Sequence, residues 1–523
     1  MPRRLPAAAR AVIALGALAT AVPAPTVTAA PPAAVLAGDA EAPAPRYVDA
    51  GPTMLQITAT LAGRVEANDA FVVAEDGGEL DAGTHANLLA RAGIAWNSYE
   101  LAAPWIIAAN LEVDAFSGLV TDRAAVAGPD GANVRDGVPN GADADTAVLR
   151  KANVAASYKG IITLRAGVDT SHWGLGLVAN DGAHGWAPGS ARFTDPRGGD
   201  RVLRGQVVLR VPSGGETIGV AIGGDKVLGD DVLLAGDSAW QAVIAAFYER
   251  EGLRAGLYSV ARTQTTRDDR VLTVGVADVF ADAEIDLGDG LVLNLGAEAA
   301  VVLGASELAG SAGSPKHDVL QAGAVLRAGL AKERFGGVVD LVYASGDEDL
   351  DDDVQGAFKA DPNFSLGLVL FPYVVAAQSA RSASAAVRPD LSGYAPEDLE
   401  RLPTRGSVSN TVAVFPRLWV RPAPGLEVYG GALFAFADAA PVDPLNTRLA
   451  GGEPRNARDR VPGGYLGTEL DLGVRYRMLA WGSAVDLGLE GGVLLVGDAL
   501  EGGDAASSGD TVGALRAMLS WTL

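Results

Sequence analysis

From residue 53 to the last residue, apolar and polar side chains alternate with a period of two, which predicts β-strands with one greasy and one wet face. The clearest case lies near the C-terminus. Leu466, Thr468, Leu470, Leu472, Val474 and Tyr476 share one face, opposite Tyr465, Gly467, Glu469, Asp471, Gly473, Arg475 and Arg477. A helix, turning every 3.6 residues, cannot keep those two sets apart. The same sorting sets Ile107, Ala109, Leu111 and Val113 against Asn110, Glu112 and Asp114. It also sets Ile285, Leu287, Leu291, Leu293 and Leu295 against Glu284, Asp286, Asn294 and Glu298. Looser alternation predicts strands at 53–66, 86–98, 154–169, 201–212, 253–263, 318–332, 336–345, 410–421, 425–438 and 480–496, with weaker ones at 216–223, 239–249, 271–281 and 365–375. In the terminal strand Leu515, Ala517, Leu519, Trp521 and Leu523 oppose Arg516, Ser520 and Thr522. The total is roughly 16 to 18 strands, the size of a bacterial barrel.

A soluble sandwich buries its apolar face against a second sheet, whereas a membrane barrel gives that face to lipid and encloses the charged one around water. Long strands, a last strand that reaches the last residue and paired charges on the polar face favour the barrel. The predicted fold is therefore all-β: a single closed antiparallel transmembrane β-barrel of residues 51–523 with long external loops. Short turns are expected after Met478 at Ala480, at Pro422–Gly425 and at Lys332–Gly336, and long polar loops at 118–148, 170–200, 376–409 and 439–462. In this reading short and long links do not alternate strictly. Trp96, Trp105, Tyr429, Tyr465, Tyr476, Trp481 and Trp521 are expected near strand ends or on outer faces, a thin version of the interfacial girdles of such barrels.

The N-terminus adds a compartment. Arg3, Arg4 and Arg10 precede an apolar run from Ala11 to Ala21, about half of what a helix needs to cross a bilayer, so residues 1–30 read as a secretory signal peptide and 31–50 as a Pro/Ala-rich linker. The whole chain carries 41 basic against 64 acidic residues, a net charge of −23, which opposes binding to nucleic acid. With no cysteine, disulfides, thiolate metal sites and cysteine nucleophiles are excluded.

Three regions carry a family resemblance. His172-Trp173-Gly174-Leu175-Gly176-Leu177-Val178-Ala179-Asn180-Asp181-Gly182, followed by Gly199-Asp200-Arg201-Val202, resembles a pattern in uncharacterised Gram-negative outer-membrane β-barrels. Tyr343-Ala344-Ser345-Gly346-Asp347 with Phe364, and Leu466-Gly467-Thr468-Glu469-Leu470-Asp471, resemble elements of alginate-export and related porin-like barrels. The resemblance implies an outer-membrane barrel that passes solutes and does not imply alginate.

Candidate chemistry is sparse. Arg165, Arg204, Arg210, Arg327, Arg417, Arg421, Glu469, Asp471, Arg475 and Arg477 fall on polar strand faces and are the expected pore lining, where opposed charges set a transverse field or brace the wall with ion pairs. The run Asp347-Glu348-Asp349-Leu350-Asp351-Asp352-Asp353 holds six carboxylates in seven positions. It reads as a solvated loop, with calcium on Asp347, Asp349, Asp351 and Asp353 as the ligand it could take. The four histidines, His85, His172, His184 and His317, show no metal or triad spacing; Ser171 and His172, adjacent on a strand, would point apart; and neither a phosphate-binding glycine loop nor a helix-borne zinc motif occurs.

The expected function is a porin-like channel passing small solutes, or exporting a polar polymer, through a charged lumen, with no catalysis and no cofactor. The expected partners are outer-membrane lipid, small polar solutes and, through the C-terminal strand, the barrel-assembly machinery. Two alternatives stand beside it: a plugged outer-membrane barrel serving as a structural or adhesive scaffold, and a secreted soluble β-rich protein acting on carbohydrate.

Overall fold

A computed structural model describes residues 46–49, 53–75, 79–80, 83–98, 104–120, 145–182, 199–311, 313–384, 401–480, 483–501 and 510–523. The expected signal peptide, most of the linker, His184 and Trp481 lie outside these residues. Eighteen long strands form a closed ring. They are β1 (Thr53–Asn68), β2 (Thr84–Ser98), β3 (Trp105–Leu119), β4 (Asp145–Tyr158), β5 (Ile162–Thr170), β6 (Arg201–Ser213), β7 (Glu216–Gly229), β8 (Ser238–Arg250), β9 (Leu253–Thr265), β10 (Val271–Asp286), β11 (Leu291–Ser306), β12 (His317–Lys332), β13 (Phe335–Ala344), β14 (Thr411–Ala423), β15 (Leu426–Phe436), β16 (Tyr465–Ala480), β17 (Ser483–Val496) and β18 (Thr511–Thr522). Each pairs antiparallel with the next, and β18 returns to β1 from Thr60↔Thr522 to Asn68↔Ala514, leaving no open edge. Outside the ring, Arg46–Asp49, within the expected linker, pairs with Met54–Ile57 of β1, and Val354–Gln355 lies parallel to β12.

The links sort by end. Those at 99–104, 159–161, 214–215, 251–252, 287–290, 333–334, 424–425 and 481–482 are short and share one end, while every long link emerges at the other. The irregular alternation read from the sequence came from three misread segments. The segment 154–169 is a hairpin, turned at Lys159 and Gly160, whose φ angles of 52° and 69° no strand adopts. The alternation through Leu287 spans a second turn, with Gly288, Asp289 and Gly290 all at positive φ. The segment 365–375 is no strand: it enters the lumen and winds into a π-helical turn, Leu370–Val375, that continues as a helix, Ala376–Ser384, inside the expected loop 376–409. Strand β4 begins at Asp145, so the expected loop 118–148 is shorter than its pattern implied.

Side chains divide as the alternation requires. Leu418 (70% exposed), Leu472 (65%) and Val211 (63%) point outward on a belt of leucine, isoleucine and valine, while their neighbours Arg417, Asp471 and Arg210 point inward. Aromatic pairs mark both rims, with Trp105 and Tyr158 5.1 Å apart at the short-link end and Phe436 and Tyr465 4.9 Å apart at the long-loop end. Three expected placements change. Tyr429 faces the lumen and is buried, and Leu466 is buried rather than outward while Tyr465 leaves the polar face to join the outward Phe436, because a register shift between Ala435 and Phe436 displaces the start of β16 by one residue.

Candidate functional site: the luminal wall and its inserted loops

Strand register brings the inward charges together in cross-strand pairs. Asp340 on β13 takes a bidentate bond from Arg327 on β12, at 2.7 and 2.9 Å, and a further bond from Arg417 on β14. Arg204 clamps Asp225 at 2.8 and 2.7 Å, and Arg477 clamps Asp486 at 2.6 and 2.9 Å. Arg475 bonds Glu490 at 2.6 Å and lies 4.1 Å over the ring of Tyr429, whose hydroxyl donates to the same glutamate. Arg421 pairs with Glu427 at 3.2 Å, and Arg165 pairs along its own strand with Asp169 at 2.9 Å. At the ring closure Glu66 gathers Arg64, His85 and Arg516 within 3.1 Å. Arginine suits such a wall because its planar fork meets a carboxylate with two parallel bonds. Arg210 differs: it makes no ion pair among the described residues and borders the ring of Phe247 at 5.5 Å.

Two long loops fold into the barrel, each pinned by a luminal glutamate that accepts backbone amides. Glu298 on β11 receives the amides of Leu175 and, at 3.1 Å, Leu177. Glu469 on β16 receives those of Leu368, Val369 (2.9 Å) and Leu370 (2.8 Å). Several amides on one carboxylate satisfy both the loop backbone and the buried charge, which neither could achieve alone. Glycine makes the approach possible. Gly174 (φ 55°) and Gly367 (φ 73°) adopt the left-handed conformation, and a Cβ there would come within 2.6 Å of Glu298 Oε2 and 2.8 Å of Glu469 Oε1. Beside each glutamate stands an aspartate. Asp278 accepts the Trp173 indole N–H at 3.1 Å, whereas Asp471 has no hydrogen-bond donor to either oxygen among the described residues.

The loops also meet each other. The Asp361 carboxylate accepts the amides of Asn180 (2.9 Å) and Asn363 (2.8 Å), and its own amide donates to Leu177 O at 2.8 Å. Burial, reinforced by the nearby Asp231, pushes this carboxyl up to about 7. Around the junction Phe358, Phe364, Leu366, Leu370 and Phe371 pack into an apolar mass against the inner faces of β11 to β18. In the acidic run, Asp347 and Asp349 accept amides of their own loop, and Asp351 accepts the Ser311 hydroxyl. Among the described residues no three acidic or histidine side chains are grouped to hold a metal ion.

No family model matches the chain, and no curated protein matches it in sequence. Solved structures match in fold. Acinetobacter baumannii OccAB1 aligns with a TM-score of 0.51 at 10% identity, covering 90% of this chain and 96% of that one. Pseudomonas aeruginosa OccK8 (OprE) and OprD align at 0.48 and 0.46, each 11% identical, covering 90% and 93% of this chain and 98% and 99% of theirs. The fold is that of an outer-membrane porin. In this porin fold all ten expected lining residues lie on inward-facing strand positions, but they divide by task. Arg204, Arg327, Arg417, Arg421, Arg475 and Arg477 are braces within the wall, Glu469 is a loop anchor, Arg165 and Arg210 stay open to the lumen, and Asp471 is buried behind the inserted loop. The sequence reading passed over Asp225, Asp340, Glu490, Asp361 and Trp173. For Trp173 a signal existed in the glycine-punctuated run 172–182; the partner carboxylates show only once register is known.

Proposed function

We propose that this chain is an outer-membrane channel through which small polar solutes diffuse, its lumen narrowed by the loops 171–182 and 357–381. The observation that carries the reading is a closed ring whose outward face is leucine-rich and whose inward face is arginine and carboxylate. A soluble protein would leave that belt in water, at a cost its size forbids, whereas acyl chains accommodate it. Because nearly every luminal arginine has a carboxylate partner, the wall offers dipoles rather than a field of one sign, which suits polar solutes over a single class of ion. The fold offers no support for polymer export over solute passage.

Purified protein added to planar lipid bilayers is expected to give discrete conductance steps; none at any voltage would overturn the channel reading. The apolar packing of Phe358, Leu366, Leu370 and Phe371 within the ring supports a second reading, a plugged scaffold. Liposomes swelling in small sugars separate the two, since a plugged barrel admits none.

A further inference from the structure

Below the entry of loop 171–182, one inward row crosses five strands. Arg210 on β6 stands opposite Gly219 on β7, Gly219 opposite Phe247 on β8, Phe247 opposite Gly256 on β9, and Gly256 opposite Phe280 on β10. Bulky and absent side chains alternate, and rings fill the gaps. A Cβ on Gly219 would lie 2.0 Å from Phe247 Cζ, and one on Gly256 would lie 2.6 Å from Trp173 Cη2 and 2.8 Å from Phe280 Cε1. The rings therefore lie down across the glycines instead of standing away from the wall. Trp173 meets Phe280 edge-on at 5.0 Å and stacks on Tyr258 at 5.2 Å, extending the surface upward. In the next inward row toward the short-link end, Arg254 grips Asp282 at 2.7 and 3.0 Å. At 47% and 28% side-chain exposure this pair is more open than any other barrel-wall pair among the described residues.

We propose that this shelf is a subsite for a neutral pyranose sugar; the proposal rests on the channel reading and names its solute class. Flat aromatic faces complement the C–H face of a sugar ring, which buries apolar area without losing hydroxyl contacts. The open ion pair, with Glu249 on β8 directly opposite Arg254, sets guanidinium donors beside carboxylate acceptors, and Arg210 balances the second carboxylate, matching hydroxyls that both donate and accept. Arg210 supplies further donors at the far end. A lone anion would find a competing carboxylate, and a lone cation a competing guanidinium.

The test is calorimetric titration of folded, detergent-extracted protein with maltose, with sorbitol as a polyol lacking the ring face and gluconate as an anion. Maltose is expected to bind saturably, with sorbitol and gluconate at least about tenfold weaker. Phe247→Ala and Phe280→Ala are expected to weaken maltose roughly tenfold, and Phe247→Leu, which keeps apolar bulk but not the flat face, to weaken it as well. Faster migration of unboiled than boiled protein certifies each variant as a closed barrel. Equal binding of maltose and sorbitol, or an affinity indifferent to all three substitutions, overturns the proposal. Conductance steps without maltose binding leave the channel and remove the sugar; maltose binding without conductance keeps the subsite and removes the channel.

Discussion

At the scale of single residues, the lumen is organised by carboxylates whose partners differ. Asp340 holds Arg327 and Arg417 in the wall, whereas Glu469 holds a loop in place through three successive amides. Removing the two should therefore do different things. Asp340→Asn leaves two guanidinium groups short of their counter-charge, and loss of one partner of a buried pair costs about 3–5 kcal/mol; a lower midpoint in denaturant unfolding, with the conductance of surviving channels little changed, is the expected result. Glu469→Ala strips the acceptor from Leu368, Val369 and Leu370 while leaving the wall pairs intact. Single-channel recordings are expected to show larger or noisier conductance, and an unchanged trace would refute the anchor. Gly367→Ala should reproduce the effect, since its φ of 73° and the nearby carboxylate both resist a methyl group.

At the scale of elements, the junction of the two inserted loops carries the pH dependence. Asp361 has an ordinary value of 3.8 and is raised to about 7, so between those limits the folded junction binds a proton that the opened one does not. Stability of the junction is then fully present below about pH 4 and is lost as pH rises through 7. Gating fluctuations are expected to increase from pH 5 to pH 8, and the double variant Asp361→Asn with Asp200→Asn, which removes both this carboxyl and the neighbouring one raised by burial and by Asp361, should flatten the profile; a slope retained in that variant would assign the titration elsewhere. These loops were the least legible part of the sequence. Period two identified most strands because one face meets lipid along the whole ring, but it was blind where alternation continued through a turn, as at Lys159–Gly160 and Gly288–Gly290. The apolar run at 365–375 looked like a strand because its burial comes from packing inside the barrel, which local pattern cannot tell from burial against a membrane. For the site, the inward arginines were readable one by one, since parity sets their direction. Their partners were not, because Arg327 and Asp340 meet through a register fixed by the turn between β12 and β13.

At the scale of the whole molecule, the two faces of the ring should respond oppositely to the same chemistry. Leu418 and Arg417 are adjacent, yet the leucine is 70% exposed on the outer belt and the arginine is buried against Asp340 and the ring of Phe415. Both sit near the middle of β14, where the hydrocarbon is deepest. A charge placed outward there has no water and no counter-ion, so Leu418→Arg should cost about 2–4 kcal/mol in lipid vesicles. An arginine at the rim, as in Phe436→Arg, can snorkel to headgroups and should cost about 0–1 kcal/mol. Reversible urea unfolding in vesicles, followed by the mobility difference between folded and unfolded protein, measures both. A soluble barrel would show neither the large cost nor the dependence on depth, since an outward arginine would then be hydrated at either position. Equal, small effects at residues 418 and 436 would therefore remove the lipid from the outer face and, with it, the membrane from the function.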